Sequence, residues 1–188
     1  ATKYLGGHSD ICAGAVAASN KHIEKIWNVA KNLGGSLSEY TVWLLERSMK
    51  TLAIRVKAHN KNAKKIAKWL HQHPLVDHVY YPGLKTHSHY KLAKKQMNGY
   101  TGMLSFELNE SVNSETFLKS LALIKPSMSL AGVESTILAP SKASHALLGE
   151  EERKNQGISE GLLRLSVGIE DTKDLLLDLE KAFEMSTI

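Results

Sequence analysis

The residues between Gly35 and Pro74 constrain the fold more than any other part of this chain. They contain no glycine or proline, and they carry an apolar stripe at helical spacing. Ser36-Leu37-Ser38-Glu39 has a serine three residues before a glutamate, which is a capping box and predicts that a helix begins at Ser36. Pro74 has no N–H to donate, so the helix must end before it. The prediction is one helix of about 35 residues, about 50 Å long and bent near His59-Asn60.

Two further elements are predicted before this helix. Residues 11–18 hold only small and apolar side chains, a composition that favours a buried strand of a parallel sheet. Ile23, Ile26 and Ala30 then recur at the spacing of one helix face, and Gly34-Gly35 ends that helix. Residues 1–73 therefore predict the end of an α/β domain followed by a long connecting helix.

Short strands and helices alternate after Pro74. Alternating or apolar runs predict strands at residues 76–81, 102–108, 133–138 and 163–167. Helical spacing predicts helices at 90–97 and 114–121, and a last helix that Asp171 caps. Because the two kinds of element mix in short units, residues 74–188 predict a compact α+β domain.

The composition excludes several classes of protein. The chain has 188 residues, 43% of them hydrophobic, with a net charge of +5, which is typical of a globular protein and excludes a disordered one. The densest basic run, Lys57 to Lys68, lies on a predicted helix with apolar positions between, which favours a solvated face over a nucleic-acid site. No apolar run has the length of a membrane span. Cys12 is the single cysteine, so no internal disulfide forms and a reducing, cytoplasmic location is expected.

A lysine stands just before a glycine-rich stretch near the start of the chain, in Thr2-Lys3-Tyr4-Leu5-Gly6-Gly7. Glycines allow the backbone to pack closely against a flat cofactor, and a deprotonated lysine amine is a nucleophile. The alternative interpretation is an ordinary solvated lysine, and the residues alone leave both open.

An arginine interrupts an apolar strand. Alternation in Leu163-Arg164-Leu165-Ser166-Val167 places the aliphatic side chains on one face and Arg164 with Ser166 on the other. A buried arginine needs an anion, and its planar fork matches a carboxylate. Two interpretations stay open: a clamp for a substrate carboxylate, or an internal salt bridge to a Glu or Asp.

Other polar groups give weaker indications. The loop from Ser127 to Thr136 offers hydroxyls and N–H groups, including those of Ser129, to a ligand, but ordinary turns have the same composition. Histidines 71, 73, 78, 87 and 89 match no tight ligand spacing and have no cysteine partners, so no metal site is predicted. His145 is interpreted as a hydrogen-bonded structural residue.

These pieces together resemble one family. Residues 2–10 resemble the cofactor-lysine segment of the trans-sulfuration enzymes, the pyridoxal-phosphate (PLP) enzymes that include cystathionine γ-synthase, cystathionine γ-lyase, cystathionine β-lyase and methionine γ-lyase. The resemblance continues in the same order through Arg47–Leu52, Tyr81–Leu84, Ser129–Ser135 and Leu163–Gly168. Several independent segments thus agree over essentially the whole chain.

The resemblance implies a fold and four site residues. The implied fold is α/β, the C-terminal part of a PLP-dependent transferase of the aspartate aminotransferase-like fold type I. Lys3 resembles the lysine that bonds to pyridoxal 5'-phosphate and later moves protons, and Thr2 resembles a ligand of the cofactor phosphate. Arg164 resembles the residue that binds the substrate α-carboxylate, and Ser129 resembles the serine beside it.

The resemblance also implies an activity, a missing partner and an assembly. The expected reaction is elimination or replacement at Cγ of a sulfur amino acid such as cystathionine, or of an O-acylhomoserine. Cystathionine β-lyase activity, methionine γ-lyase activity and a non-catalytic assembly fragment are the alternatives. Because the family carries its remaining cofactor contacts upstream of the lysine, the chain resembles the C-terminal half of an enzyme that needs its N-terminal half. A homotetramer, built as a dimer of dimers, is expected.

Two departures from the family pattern affect the expected reaction. Met128 stands where many relatives carry a glutamate, and Ser141-Lys142-Ala143-Ser144-His145 replaces the commoner Pro-Ala before the histidine. By the resemblance, side chains at the position of Met128 help to tune reaction preference.

Overall fold

The computed structural model describes all 188 residues, which form two compact units, Ala1–Ala53 and Ile54–Ile188. The first unit contains helix α1 (Asn20–Leu33), helix α2 (Glu39–Met49) and the first residues of helix α3 (Leu52–Leu70). Gly34, in the left-handed conformation with φ of 69°, ends α1 as predicted. The sequence predicts a domain boundary between residues 73 and 74, and that boundary stays a prediction.

The second unit is built on a five-stranded sheet. In chain order its elements after α3 are β1 (Val76–Tyr80), α4 (Tyr90–Gln96), β2 (Met103–Leu108), α5 (Ser114–Ser120), β3 (Lys125–Pro126), β4 (Thr136–Leu138), a 3-10 turn (Pro140–Lys142), α6 (Glu150–Asn155), β5 (Leu162–Ser166) and α7 (Thr172–Ser186). The strand order is β1-β2-β5-β4-β3, and every pair is antiparallel except β3 with β4.

One face of this sheet forms the core. Leu104 pairs with Leu165, and Phe106 pairs with Leu163, across the β2–β5 ladder, and all four are buried. Ile66 of α3, Phe117 of α5 and Leu179 of α7 belong to the same buried cluster, so three helices complete it. The predicted alternation of β2 and β5 is confirmed. It leaves Arg164, paired with Ser105, on the opposite face at the middle of the sheet.

The prediction of one long helix is wrong. The helix breaks at Lys50–Thr51 and continues without interruption through His59–Asn60, where the bend was expected. At the break, Lys50 N bonds to Arg47 O at 3.3 Å and Thr51 N to Ser48 O at 3.2 Å, a tighter pattern than that of an α-helix. Thr51 Oγ1 also donates to Ser48 O at 3.1 Å. The hydroxyl thereby competes for a carbonyl that the helix would use.

Three other predictions on the first unit and the sheet need correction. The N-cap of helix α2 lies two residues later than predicted, since Ser38, and not Ser36, accepts a hydrogen bond from Thr41 N, at 3.3 Å. Residues 11–18 form no strand, and of them Ile11 alone is buried. A strand needs a neighbouring strand to bond its main chain, and residues 1–53 contain none. The strand predicted at 133–138 is confirmed over Thr136–Leu138 alone, and the short β3 was not predicted.

Asp178 of α7 is a buried carboxylate held entirely by main-chain donors. Its two oxygens accept from the N–H groups of Ala122 at 2.8 Å, Leu123 at 3.1 Å and Ile124 at 2.8 Å. These bonds fasten α7 to the segment that follows α5.

We expect Asp178→Ala to lower the free energy of unfolding by about 3–5 kcal/mol, because it leaves three donors without an acceptor in or near the core. Urea unfolding followed by circular dichroism measures this. Glu184→Ala, at an exposed position of the same helix, is the control and should stay within about 0.5 kcal/mol of the parent. A loss below about 1 kcal/mol for Asp178→Ala would contradict the assignment.

Acid is expected to destabilise the second unit through His59. This side chain is fully buried on α3, and its Nδ1 donates to Val167 O at 2.7 Å. Burial lowers the pKa of His59; the charge of Arg55 adds to that effect, while the Val167 bond and Glu170 oppose it. The unfolded chain therefore takes up the proton first as the pH falls. Stability is complete above about pH 6.5 and is lost below it, by at most about 1.4 kcal/mol per pH unit for one proton.

The variant His59→Asn tests this expectation, because its amide N–H can replace the Nδ1 donor without titrating. Urea unfolding between about pH 7.5 and about pH 5 should show a shallower loss of stability with acid in the variant than in the parent. Some acid dependence should persist, since burial also lowers the pKa of His73, against the opposing charge of Glu180. Equal slopes in parent and variant would show that His59 does not titrate in this range.

Candidate active site

Lys3 lies on a tight turn that glycines make possible. Gly6 N donates to Ala1 O at 2.8 Å, and Gly7 N donates to Lys3 O at 2.6 Å. Gly7 has a φ of 69°, a conformation that favours glycine, and a Cβ on Gly6 would lie 2.9 Å from Cγ1 of Ile11. The turn leaves the Lys3 side chain exposed and without an ion pair.

Thr2 beside it bonds to the main chain. Thr2 Oγ1 accepts from Ala13 N at 2.8 Å and donates to Ala13 O at 3.2 Å. A hydroxyl has one proton, so in this arrangement Thr2 has no donor left for a phosphate. Its implied role as a phosphate ligand remains a prediction and requires the hydroxyl to turn away from Ala13 O.

The sequence analysis missed a histidine that supports the turn. Nδ1 of His8 lies 2.8 Å from Gly6 O and 3.2 Å from Oγ of Ser48, a buried residue of α2. His8 thus links the glycine turn to a helix 40 residues further along the chain. The one available signal was its place directly after Gly6-Gly7 in the segment that resembles the family.

Arg164 of β5 has a guanidinium group that is incompletely paired. It is half-buried, and its Nη2 donates to Met128 O at 3.1 Å. Its Nε is buried and has no hydrogen-bond partner, and none of the ion pairs of the chain includes Arg164. The interpretation of Arg164 as one partner of an internal salt bridge is therefore wrong. Burial lowers the pKa of Arg164, as expected for a cation with reduced hydration.

The loop that contains Ser129 is fastened to β5 on both sides of that serine. On one side Met128 O accepts from Arg164; on the other, Ala131 N donates to Oγ of Ser166 at 2.7 Å. Ala131 is fully buried with a φ of 63°, which is unusual for a residue other than glycine. The structure thus brings the Ser129 loop and Arg164 together. Arg164 and Ser166, on the same face of β5, provide the two hydrogen bonds that anchor the loop.

A second group of hydrogen bonds holds the ends of this loop and of β5. Glu170 accepts from Ser135 N at 2.6 Å and from Ser135 Oγ at 2.9 Å, while Ser135 Oγ accepts from Gly168 N at 2.8 Å. Asn62 of α3 donates to the carbonyls of Gly168 at 3.2 Å and Glu170 at 2.8 Å. Gly168 has no room for a Cβ beside Glu170 and Val133. Sequence reasoning assigned no role to these residues.

Comparison with known proteins identifies the family. The family model described as "Cys/Met metabolism PLP-dependent enzyme" matches residues 1–184. This chain belongs to that family. The cystathionine β-lyase of Lactococcus lactis subsp. lactis and the cystathionine γ-lyase of Bacillus subtilis are each 44% identical to it over 185 residues, which is 98% of this chain and 49% of theirs.

Solved structures agree with the sequence relatives. The cystathionine γ-lyase from Lactobacillus plantarum, complexed with L-serine, matches with a TM-score of 0.92 and 42% identity, over 98% of this chain and 49% of that one. The cystathionine γ-synthase from Xanthomonas oryzae pv. oryzae, in complex with cystathionine, matches with a TM-score of 0.88 and 40% identity, over 98% of this chain and 48% of that one. This chain thus spans about half the length of its relatives. The predicted fold and family, and the family's PLP dependence, are confirmed.

The residues present fit pyridoxal phosphate. The cofactor is an aldehyde that bonds to a lysine amine, and Lys3 offers an exposed amine on a glycine turn. The roles of Thr2, Lys3, Ser129 and Arg164 remain predictions, the first pair lying in one compact unit and the second pair in the other. No group of three or more histidine, cysteine or acidic side chains could hold a metal ion. No helix combines the length and apolarity needed to cross a membrane.

Proposed function

We propose that this chain supplies the C-terminal half of a PLP-dependent enzyme that catalyses elimination or replacement on a sulfur amino acid or on an O-acylhomoserine. The observation that carries the proposal is the guanidinium of Arg164, whose buried Nε has no partner although the side chain stands beside the Ser129 loop. Membership of the family over residues 1–184 supports the class of reaction.

Arg164 is suited to bind the α-carboxylate of the substrate. Met128 O fixes the orientation of its guanidinium, and the Nε–H with the remaining N–H groups can donate to two carboxylate oxygens. A carboxylate held in this way satisfies the buried donor and fixes the direction of the substrate Cα–H bond. Ser129, anchored on both sides, lies in the loop next to this group and is assigned to the same carboxylate.

Lys3 is assigned to the proton transfers. The cofactor, when bound, supplies the electron sink that stabilises negative charge at the substrate carbons. Lys3 Nζ, once neutral, takes the proton from Cα and returns protons to substrate carbons. The glycine turn holds the Lys3 backbone in one conformation, which limits the positions that Nζ can reach.

The proposed reaction is elimination or replacement at Cγ, of the cystathionine γ-lyase or γ-synthase type. A second candidate is cystathionine β-lyase activity, because relatives of that name from Lactococcus lactis are as similar as the γ-lyase of Bacillus subtilis, at 44% identity. A non-catalytic assembly role is disfavoured because Lys3 and Arg164 are both present. The resemblance further supports a cytoplasmic homotetramer that acts on a small sulfur amino acid.

A chimera tests the proposal. This chain replaces the matched half of the Lactobacillus plantarum cystathionine γ-lyase, which keeps its own upstream half, and the purified chimera is given PLP and cystathionine. With one water consumed, elimination at Cγ releases cysteine, ammonia and a four-carbon 2-oxo acid, whereas elimination at Cβ releases homocysteine, ammonia and a three-carbon 2-oxo acid. Cysteine supports the leading candidate and homocysteine the second. A second assay supplies an O-acylhomoserine with cysteine, so that a replacement at Cγ is detected as newly formed cystathionine. A folded chimera that is inactive in both assays, beside an active parent enzyme, would overturn both candidates.

A further inference from the structure

A basic pocket lies in the second unit, and none of the residues assigned to the reaction lines it. Its volume is about 370 Å³, and its walls come from α3 and from the segment between β1 and β2. Aspartate and glutamate are absent from its lining. The polar and aromatic side chains that line it include Lys64, Lys68, His71, Lys85, Tyr90 and Tyr100.

The helical repeat explains why the cations converge. Lys64 and Lys68 lie four residues apart on α3 and so share one face, and His71 follows directly after the helix ends. Lys85 comes from the turn after β1. Like charges at this spacing repel, yet none of the three lysines forms an ion pair. The pocket thus concentrates positive charge that no acidic side chain neutralises.

The far wall of the pocket is closely packed. A Cβ on Gly83 would lie 2.5 Å from Cε1 of Tyr81 and 2.8 Å from Cδ2 of Tyr100, so the turn packs directly on two rings. Tyr90 and Tyr100 are stacked, with centroids 6.2 Å apart. Tyr81 OH donates to Thr101 O at 3.2 Å. A preformed wall lowers the ordering cost of binding.

We propose that this pocket binds an oligophosphate, either free or carried by a nucleotide. Its volume falls in the range of small-molecule sites. Lysine ammonium groups bind phosphate oxygens strongly. Three lysines therefore match an anion that carries several charges better than they match a ligand with one carboxylate. The sequence analysis interprets the basic run from Lys57 to Lys68 as a solvated face. Two of its lysines, Lys64 and Lys68, line this pocket.

Titration calorimetry of the full chain with inorganic tripolyphosphate tests the proposal. The double variant Lys64→Gln/Lys68→Gln should weaken binding at least about tenfold, since it removes two close charges. Lys61→Gln/Lys65→Gln is the matched control, with the same change in charge on the same helix outside the lining, and should weaken binding less than about threefold. Circular dichroism verifies that both variants fold.

Lys85→Gln provides an independent test, because it changes the turn and leaves α3 intact; it should weaken binding about threefold or more. Equal weakening by the two double variants would show diffuse attraction and overturn the proposal, as would the absence of binding by the parent chain. A parallel titration with ATP distinguishes the sources. Tighter binding than that of tripolyphosphate supports a nucleotide, and equal binding supports the phosphate chain alone.

Discussion

Replacing Lys3 with alanine in the chimera is expected to abolish turnover and the covalent attachment of the cofactor. No other side chain on the turn carries an amine that could bond to an aldehyde, since the neighbouring positions are Thr2, Tyr4, Leu5 and glycines. The expected loss is complete within detection, since both the covalent bond and the proton transfers depend on the same amine.

Borohydride reduction followed by peptide mapping measures the attachment directly. The parent chimera should carry the reduced cofactor on the peptide that contains Lys3, and Lys3→Ala should carry none there. Lys31→Ala, at an exposed lysine of α1 in the same compact unit, is the control and should keep both the adduct and the turnover. Turnover by Lys3→Ala, with the cofactor on another lysine, would contradict the assignment.

Replacing Arg164 with glutamine is expected to lower kcat/KM by about 10²–10⁴. Two charge-assisted hydrogen bonds to the substrate carboxylate are each worth about 1.5–3 kcal/mol, and about 1.4 kcal/mol corresponds to a factor of ten. Glutamine keeps a planar hydrogen-bonding group but is two atoms shorter than the Nη2 that contacts Met128 O, and it loses the charge and the fork. Arg164→Lys should restore little, because a lysine cannot donate two parallel bonds to one carboxylate.

A change in the substrate separates carboxylate binding from a general structural effect. With a substrate whose α-carboxylate is converted to an amide, the parent and Arg164→Gln should differ by less than about threefold, since the partner charge is absent. Arg153→Gln is the control variant; Arg153 also has a buried Nε without a hydrogen-bond partner but lies on α6, and its loss should change kcat/KM little. An equal penalty from Arg164→Gln on both substrates would contradict the carboxylate assignment.

Local patterns in the sequence were sufficient for the core strands and for the orientation of Arg164. The alternation of Leu104, Phe106 and Leu108 predicts a half-buried strand because the side-chain period of a strand is two residues, and the structure has that strand. The helix break at Lys50–Thr51 was not predictable in this way. A threonine bonding to the carbonyl three residues earlier leaves the apolar stripe unchanged, so periodicity continues through the break.

The hydrogen bonds that hold the candidate site could not be predicted from local sequence patterns either, for a different reason. Ala131 with Ser166, and Ser135 with Glu170, are each 35 residues apart in sequence. Serine and glutamate at such positions have the composition of any exposed turn, and the pairing arises when β4 and β5 become neighbours in the sheet. Residue type alone therefore favours no partner for them. The fold has to be known before the loop around Ser129 can be recognised as anchored.

Arg164 and Ser166, which hold that loop, also favour the native register of β5 against β2. A displacement of this strand by one position against β2 would turn Arg164 and Ser166 towards the core and turn Leu163 and Leu165 away from it. The guanidinium would lose water without gaining an anion, while Met128 O and Ala131 N would lose their partners together. Misaligned β5 is thus penalised on both faces of the sheet, and the same two polar side chains that shape the candidate site help to select the native pairing.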